Sequence, residues 1–132
     1  MTQIAVADLA HYPGNARQGD VDMIAESLEV NGQYKPIVVN RGDKEPSLTN
    51  TVLCGNHTLD AAKQLGWATL DAHWVDLTAE QARRVVLVDN RANDAASYDV
   101  DALVDLLTEY PDLDGTGFTR DELDTLLEEL DA

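Results

Sequence analysis

The stretch Thr51-Val52-Leu53-Cys54-Gly55-Asn56-His57-Thr58-Leu59-Asp60-Ala61-Ala62-Lys63-Gln64-Leu65-Gly66 constrains this chain more than any other. Thr51 to Leu53 is a short apolar run and reads as a buried strand. It breaks at Gly55 and passes into a helix over Thr58 to Leu65, closed by Gly66. A glycine turn that feeds directly into a helix leaves several backbone N–H groups unpaired and aimed one way, and the helix dipole adds partial positive charge there. Such a turn is an anion site in waiting. Asn56, His57 and Thr58 share it and can supply side-chain contacts.

The strands and helices around that turn follow from periodicity. Ile4-Ala5-Val6 begins a strand, and Asp8 to Arg17 is a loop with a Pro13-Gly14-Asn15 turn. Asp20 caps a helix whose apolar face is Val21, Ile24, Ala25 and Leu28, ending at Asn31-Gly32. Pro36 to Val39 is a strand, Arg41 to Asn50 a polar hairpin loop, and Leu70 to Val75 a further strand. Thr78 and Gln81 have capping-box spacing, and their helix carries Ala82, Val85 and Val86 before stopping near Asp89-Asn90-Arg91. Asp99 caps a helix bearing Leu103, Leu106 and Leu107. Thr119 with Glu122 starts a last one bearing Leu123, Leu126, Leu127 and Leu130. The order predicts an α+β fold, a small mixed sheet with packed helices, over residues 1–98. An acidic helical extension, 99–132, packs on or next to it.

Composition narrows the function. Twenty-five acids oppose nine bases for a net charge of −16, and beyond Tyr98 only Arg120 is basic. That balance disfavours duplex DNA binding by this chain alone, because phosphate neutralisation drives such affinity. The one cysteine, Cys54, rules out an internal disulfide and a cysteine-rich metal site, and it reads as a small buried apolar residue. The histidines at 11, 57 and 73 are too scattered to propose a metal site. No stretch is long and apolar enough to span a membrane. The N-terminus lacks the pattern of a secretion signal, so a cytoplasmic setting is expected.

Four segments in this order resemble the ParB/sulfiredoxin-type domain, and more closely the stand-alone ParB-like proteins of phages. Tyr12-Pro13-Gly14-Asn15-Ala16-Arg17 resembles the family's N-P-R-type loop. Ile24 to Val39 is similar to its helix–glycine–strand passage. Gly55-Asn56-His57-Thr58 stands where ParB has a G-E-R-R turn and sulfiredoxin a G-C-H-R turn. Asp89-Asn90-Arg91 stands near ParB's E-N-x-x-R. His57 and Thr58 replace two arginines of the ParB turn, Asn93 replaces the arginine that ends E-N-x-x-R, and Asn56 replaces the sulfiredoxin cysteine.

The resemblance implies a nucleoside triphosphate, CTP or ATP, bound with Mg²⁺. Asn15, Arg17, Gly55, Asn56, His57, Thr58, Asp89, Asn90 and Arg91 would form its site, with Arg17 and Arg91 adding positive charge. Glu26 and His57 are the candidate catalytic residues, Glu26 as a base or Mg²⁺ ligand and His57 for proton transfer near neutral pH. No residue is assigned to a protein-only metal site. The expected protein is phage-encoded and serves a DNA-related process, with NTP hydrolysis or phosphoryl transfer as its activity if it is an enzyme. Two alternatives stand beside this. One is a ParB-like nuclease. The other is a non-enzymatic module that docks on a DNA-modifying or packaging protein through its leucine-rich tail. A homodimer is a further expectation.

Overall fold

The computed structural model describes residues 2–14, 19–109 and 112–131. Asn15 and Arg17 lie outside the described residues. The chain runs β1 (Thr2–Ala5), β2 (Ala10–His11), α1 (Val21–Asn31), β3 (Ile37–Asn40), β4 (Thr51–Cys54), α2 (Asn56–Leu65), β5 (Thr69–Val75), α3 (Ala79–Ala95), α4 (Val100–Thr108) and α5 (Arg120–Asp131). One mixed five-stranded sheet has the order β1-β5-β3-β4-β2. β3 and β4 pair antiparallel as the hairpin reading required, whereas β3–β5 and β2–β4 are parallel.

Strand alternation puts successive side chains on opposite faces, and the two faces feed two cores. Ile37, Val39 and Val52 face a core with Leu59 and Ala62 of α2 and Leu70 and Ala72 of β5. Val38, Leu53 and Cys54 face the other, with Ala82 and Val86 of α3. Leu53 and Cys54 share a face because the β3–β4 register shifts at Val38/Val39, which interrupts the alternation. The sheet therefore lies between α2 and α3. Leu59 and Leu70 are almost wholly buried, and each contributes about 1.5–3 kcal/mol by leaving water.

Four local readings differ from the sequence. β1 covers Thr2–Ala5 rather than beginning at Ile4, and Val6 opens a 3-10 turn over Val6–Asp8. β2 lies inside the stretch read as a loop, because a two-residue strand carries no alternation to detect. α2 begins at Asn56 rather than Thr58, which puts Asn56 and His57 in its first turn. α3 does not stop at Asp89-Asn90-Arg91 but runs to Ala95. The polar triplet lies inside a longer helix and is spread around it rather than set on one face. The caps formed as read: the Asp20 carboxylate accepts from the Met23 amide, and Thr78 with Gln81 makes the full capping box. Thr119 and Glu122 also bond reciprocally at the head of α5.

Candidate functional site

At the C-terminal end of β4 the chain must reverse into α2 within one residue. Gly55 does this with φ of +101°. A Cβ there would stand 2.5 Å from Ile37 Cγ2, so no side chain fits even apart from the backbone strain. The first α2 hydrogen bond runs from the Leu59 amide to the Gly55 carbonyl, 3.0 Å. That leaves the amides of Asn56, His57 and Thr58 without a helical acceptor. Gly55 has no side chain to cap them, and their residues line a cavity of about 590 Å³.

Five parts of the fold close this cavity, one of them the end of β4 with Leu53 and Cys54. The α2 start supplies Gly55, Asn56, His57 and Thr58. The α1 entry supplies Gly19, Asp20, Met23 and Ile24, and the segment into β3 supplies Lys35 and Pro36. The far end of α3 supplies Asp89, Asn90 and Asn93. Those three α3 positions follow Val86 at i+3, i+4 and i+7, so one helical face carries both the core anchor and the site.

Several candidates have been placed by this geometry, and not all together. His57 and Thr58 are half-buried at the cavity, with Gly19 packed on the His57 ring. A Cβ on Gly19 would lie 2.9 Å from Nδ1. Asp89 and Asn90 join them. The Asn56 side chain is committed elsewhere: its Oδ1 accepts from the Tyr12 amide at 3.1 Å and its Nδ2 donates to the Val52 carbonyl at 2.9 Å. The side-chain contact expected of Asn56 is thus corrected to a structural lock, and only its backbone amide remains for a ligand. Arg91 is exposed and absent from the cavity lining, because it follows Asn90 by a step of about 100° around α3. Glu26 is displaced altogether. Its Oε1 accepts from the Gly115 amide at 2.8 Å, at the junction of α1 with the C-terminal tail, so its position does not support work as a base or Mg²⁺ ligand at the glycine turn.

Two participants were not read from the sequence. Lys35 is the only Lys or Arg lining the cavity among the described residues. Its carbonyl accepts from Gln33 Nε2 at 3.2 Å. Gln33 also donates to the Asp71 carbonyl at 2.8 Å and accepts from the Asp71 amide at 2.7 Å. The turn carrying Lys35 is in this way pinned to β5. Cys54 is half-buried in the lining of this cavity and its thiol is held protonated. Burial, then the charge of Asp89 and a hydrogen bond to it, push its thiol from the ordinary 9.0 up to about 11, with Lys35 pulling weakly the other way. Asp89, Cys54 and Lys35 therefore form one electrostatic cluster. Among the described residues no three His, Cys, Asp or Glu side chains gather as a metal site. No described helix is long and apolar enough to cross a membrane.

The ParB N-terminal domain family matches residues 1–91, more than half of the chain. The chain belongs to the ParB N-terminal domain family. Solved structures extend the likeness. The C-terminally truncated chromosome-partitioning protein ParB from Caulobacter crescentus complexed with CTP-γ-S superposes with a TM-score of 0.76 at 17% identity, covering 98% of this chain and 78% of that one. The same protein complexed to the centromeric parS site gives 0.55 at 18% identity, over 98% of this chain and 72% of that one. A Pnob8-like ParB-N domain gives 0.54 at 18% identity, over 98% and 60%. No curated protein matches the chain. The superpositions take in the tail as well as the ParB domain, and the mixed α+β fold is that of ParB N-domains.

Proposed function

We propose that this ParB-like domain binds a nucleoside triphosphate, CTP or ATP, together with Mg²⁺, in a DNA-related process. The observation that carries the reading is the start of α2: Asn56, His57 and Thr58, whose amides lack helical acceptors, line a cavity that Lys35 also lines. Helix dipole and amides favour phosphate oxygens, and Lys35 adds the only full positive charge of the described lining. The chain shares its fold with a ParB whose structure was solved in complex with CTP-γ-S, which is in keeping with this reading.

The cavity's donor set fits Mg²⁺ held jointly with phosphates. Asp20 and Asp89 are its carboxylates, and Mg²⁺ is usually bound through one or two carboxylates plus substrate phosphates. There it would neutralise phosphate charge. Any hydrolysis would draw on positioning by the α2 amides and Lys35, with His57 as the proton-transfer group facing the cavity.

Thermal melting with CTP, ATP and GTP in Mg²⁺ tests this, since a ligand of the folded state raises its apparent stability. CTP or ATP should raise the melting temperature, and Lys35→Met should remove most of the rise. No shift at millimolar concentration with any of the three overturns the reading. Released phosphate reports hydrolysis, and incubation with plasmid and divalent metal would expose the nuclease alternative.

A further inference from the structure

A second hollow adjoins the phosphate cavity. It is a groove of about 440 Å³ between α1, the turn at 33–35 and the tail loop that precedes α5. Met23, Ile24, Lys35 and Thr58 line both hollows, so they meet along a seam of four side chains. The groove has a different character from the cavity. Its floor is Met23, Ile24 and Leu28, its polar groups include Ser27 and Asn31, and its outer wall is Gly115-Thr116-Gly117.

That wall is held in place. Glu26 accepts from the Gly115 amide and Asn31 Nδ2 donates to the Gly115 carbonyl, each at 2.8 Å. Gly115 and Gly117 both have positive φ and lie close against α1. A Cβ at 115 would stand 2.7 Å from Val30 Cβ, and one at 117 would stand 3.1 Å from Met23 Sδ. The tail loop is therefore fitted to α1 through its backbone, and Glu26 serves as half of a latch.

We infer that the ligand site is bipartite and that the acidic tail completes it: phosphates occupy the inner cavity, the nucleoside occupies the outer groove, and Lys35 stands at the junction. This rests on the nucleotide reading above. A nucleoside needs apolar faces with a few directed hydrogen-bonding groups, in a cleft of a few hundred Å³, and the groove offers both. Lys35 is the only Lys or Arg lining either hollow among the described residues, and it sits where the two parts of such a ligand join. Because one wall belongs to the tail, a ligand in the groove favours the docked tail, and the docked tail favours the ligand.

Calorimetry with CTP, ATP and inorganic tripolyphosphate, each with Mg²⁺, tests this on the full chain and on a Glu26→Ala, Asn31→Ala variant. The wild type should bind its nucleotide more tightly than tripolyphosphate. The variant should lose about tenfold for nucleotide, the size of a net hydrogen-bond contribution, and nothing for tripolyphosphate. Hydrogen exchange over residues 112–119 of the wild type gives a readout independent of the variant's folding: it should slow with nucleotide and not with tripolyphosphate. Equal affinity of the wild type for the two ligands, equal loss in the variant, or unchanged exchange overturns the bipartite site alone. Binding of neither ligand overturns the nucleotide reading with it.

Discussion

Cys54 and Asn56 flank the turning glycine, and each is committed to the fold in a way that has a measurable consequence. The Cys54 thiol is held protonated by burial and by Asp89, so its pKa is about 11. A thiol whose folded pKa exceeds the unfolded one contributes stability below the unfolded value. That contribution is lost as the pH climbs from about 9 toward 11. Alkylation by iodoacetamide, followed by mass spectrometry, should therefore stay slow through pH 9 and accelerate only near pH 11. Asp89→Asn should move the midpoint down without restoring an ordinary thiol, because burial is the larger cause. A midpoint at 9 in the wild-type protein would refute this account. Asn56 joins the Tyr12 amide to the Val52 carbonyl from a buried position. Asn56→Ala strands both groups and should cost about 2–3 kcal/mol in urea denaturation. Loss of ligand binding in that variant would then report a damaged fold rather than a missing contact.

Elements position what residues supply, and the turn between α1 and β3 shows how. Gln33 uses both ends of its amide to tie this turn to Asp71 of β5 and to the Lys35 carbonyl. Gln33→Ala frees the turn, and the ligand must then order it on binding. Nucleotide affinity should fall about fivefold by calorimetry, while circular dichroism stays that of the folded protein. An unchanged affinity would mean that Lys35 needs no such support. The same turn shows what the sequence withheld. Strong periodicity and caps made α1, α2, α4 and α5 legible, and the β3–β4 hairpin followed from two apolar runs around a polar loop. Parallel pairing of β3 with β5, and of β2 with β4, depends on tertiary packing and leaves no local pattern. The end of α3 misled because Asp, Asn and Arg are common where helices stop, yet here they lie within one. The glycine turn was readable because its chemistry is local. Lys35 was not, because its importance comes from having no other Lys or Arg beside it in the cavity lining among the described residues. Glu26 stood out as a carboxylate near a predicted site, and only the tail's position gives it another partner.

The whole molecule sets the terms on which an anion enters. A net charge of −16 repels a triphosphate at long range, and screening over a Debye length of about 10 Å at 0.1 M salt removes only the distant part. Near the ligand, the cavity lining itself carries Asp20 and Asp89 against Lys35 among the described residues. Three amides at a helix start offset this by roughly half a charge. That falls short of the roughly four charges of a bare triphosphate. In the ParB turn that this one resembles, two arginines stand where this chain has His57 and Thr58, so the deficit follows from those two positions. A divalent cation bound with the ligand removes two of its charges and turns the nearby carboxylates from repulsive to attractive. Nucleotide binding by this chain should therefore depend steeply on Mg²⁺. Calorimetry in EDTA should give an affinity at least about tenfold lower than in millimolar Mg²⁺. Replacing both positions, as His57→Arg with Thr58→Arg, should recover part of that loss in EDTA by supplying the charge from the protein. Equal affinity in EDTA and in Mg²⁺ would mean that the cavity is less negative than its described lining.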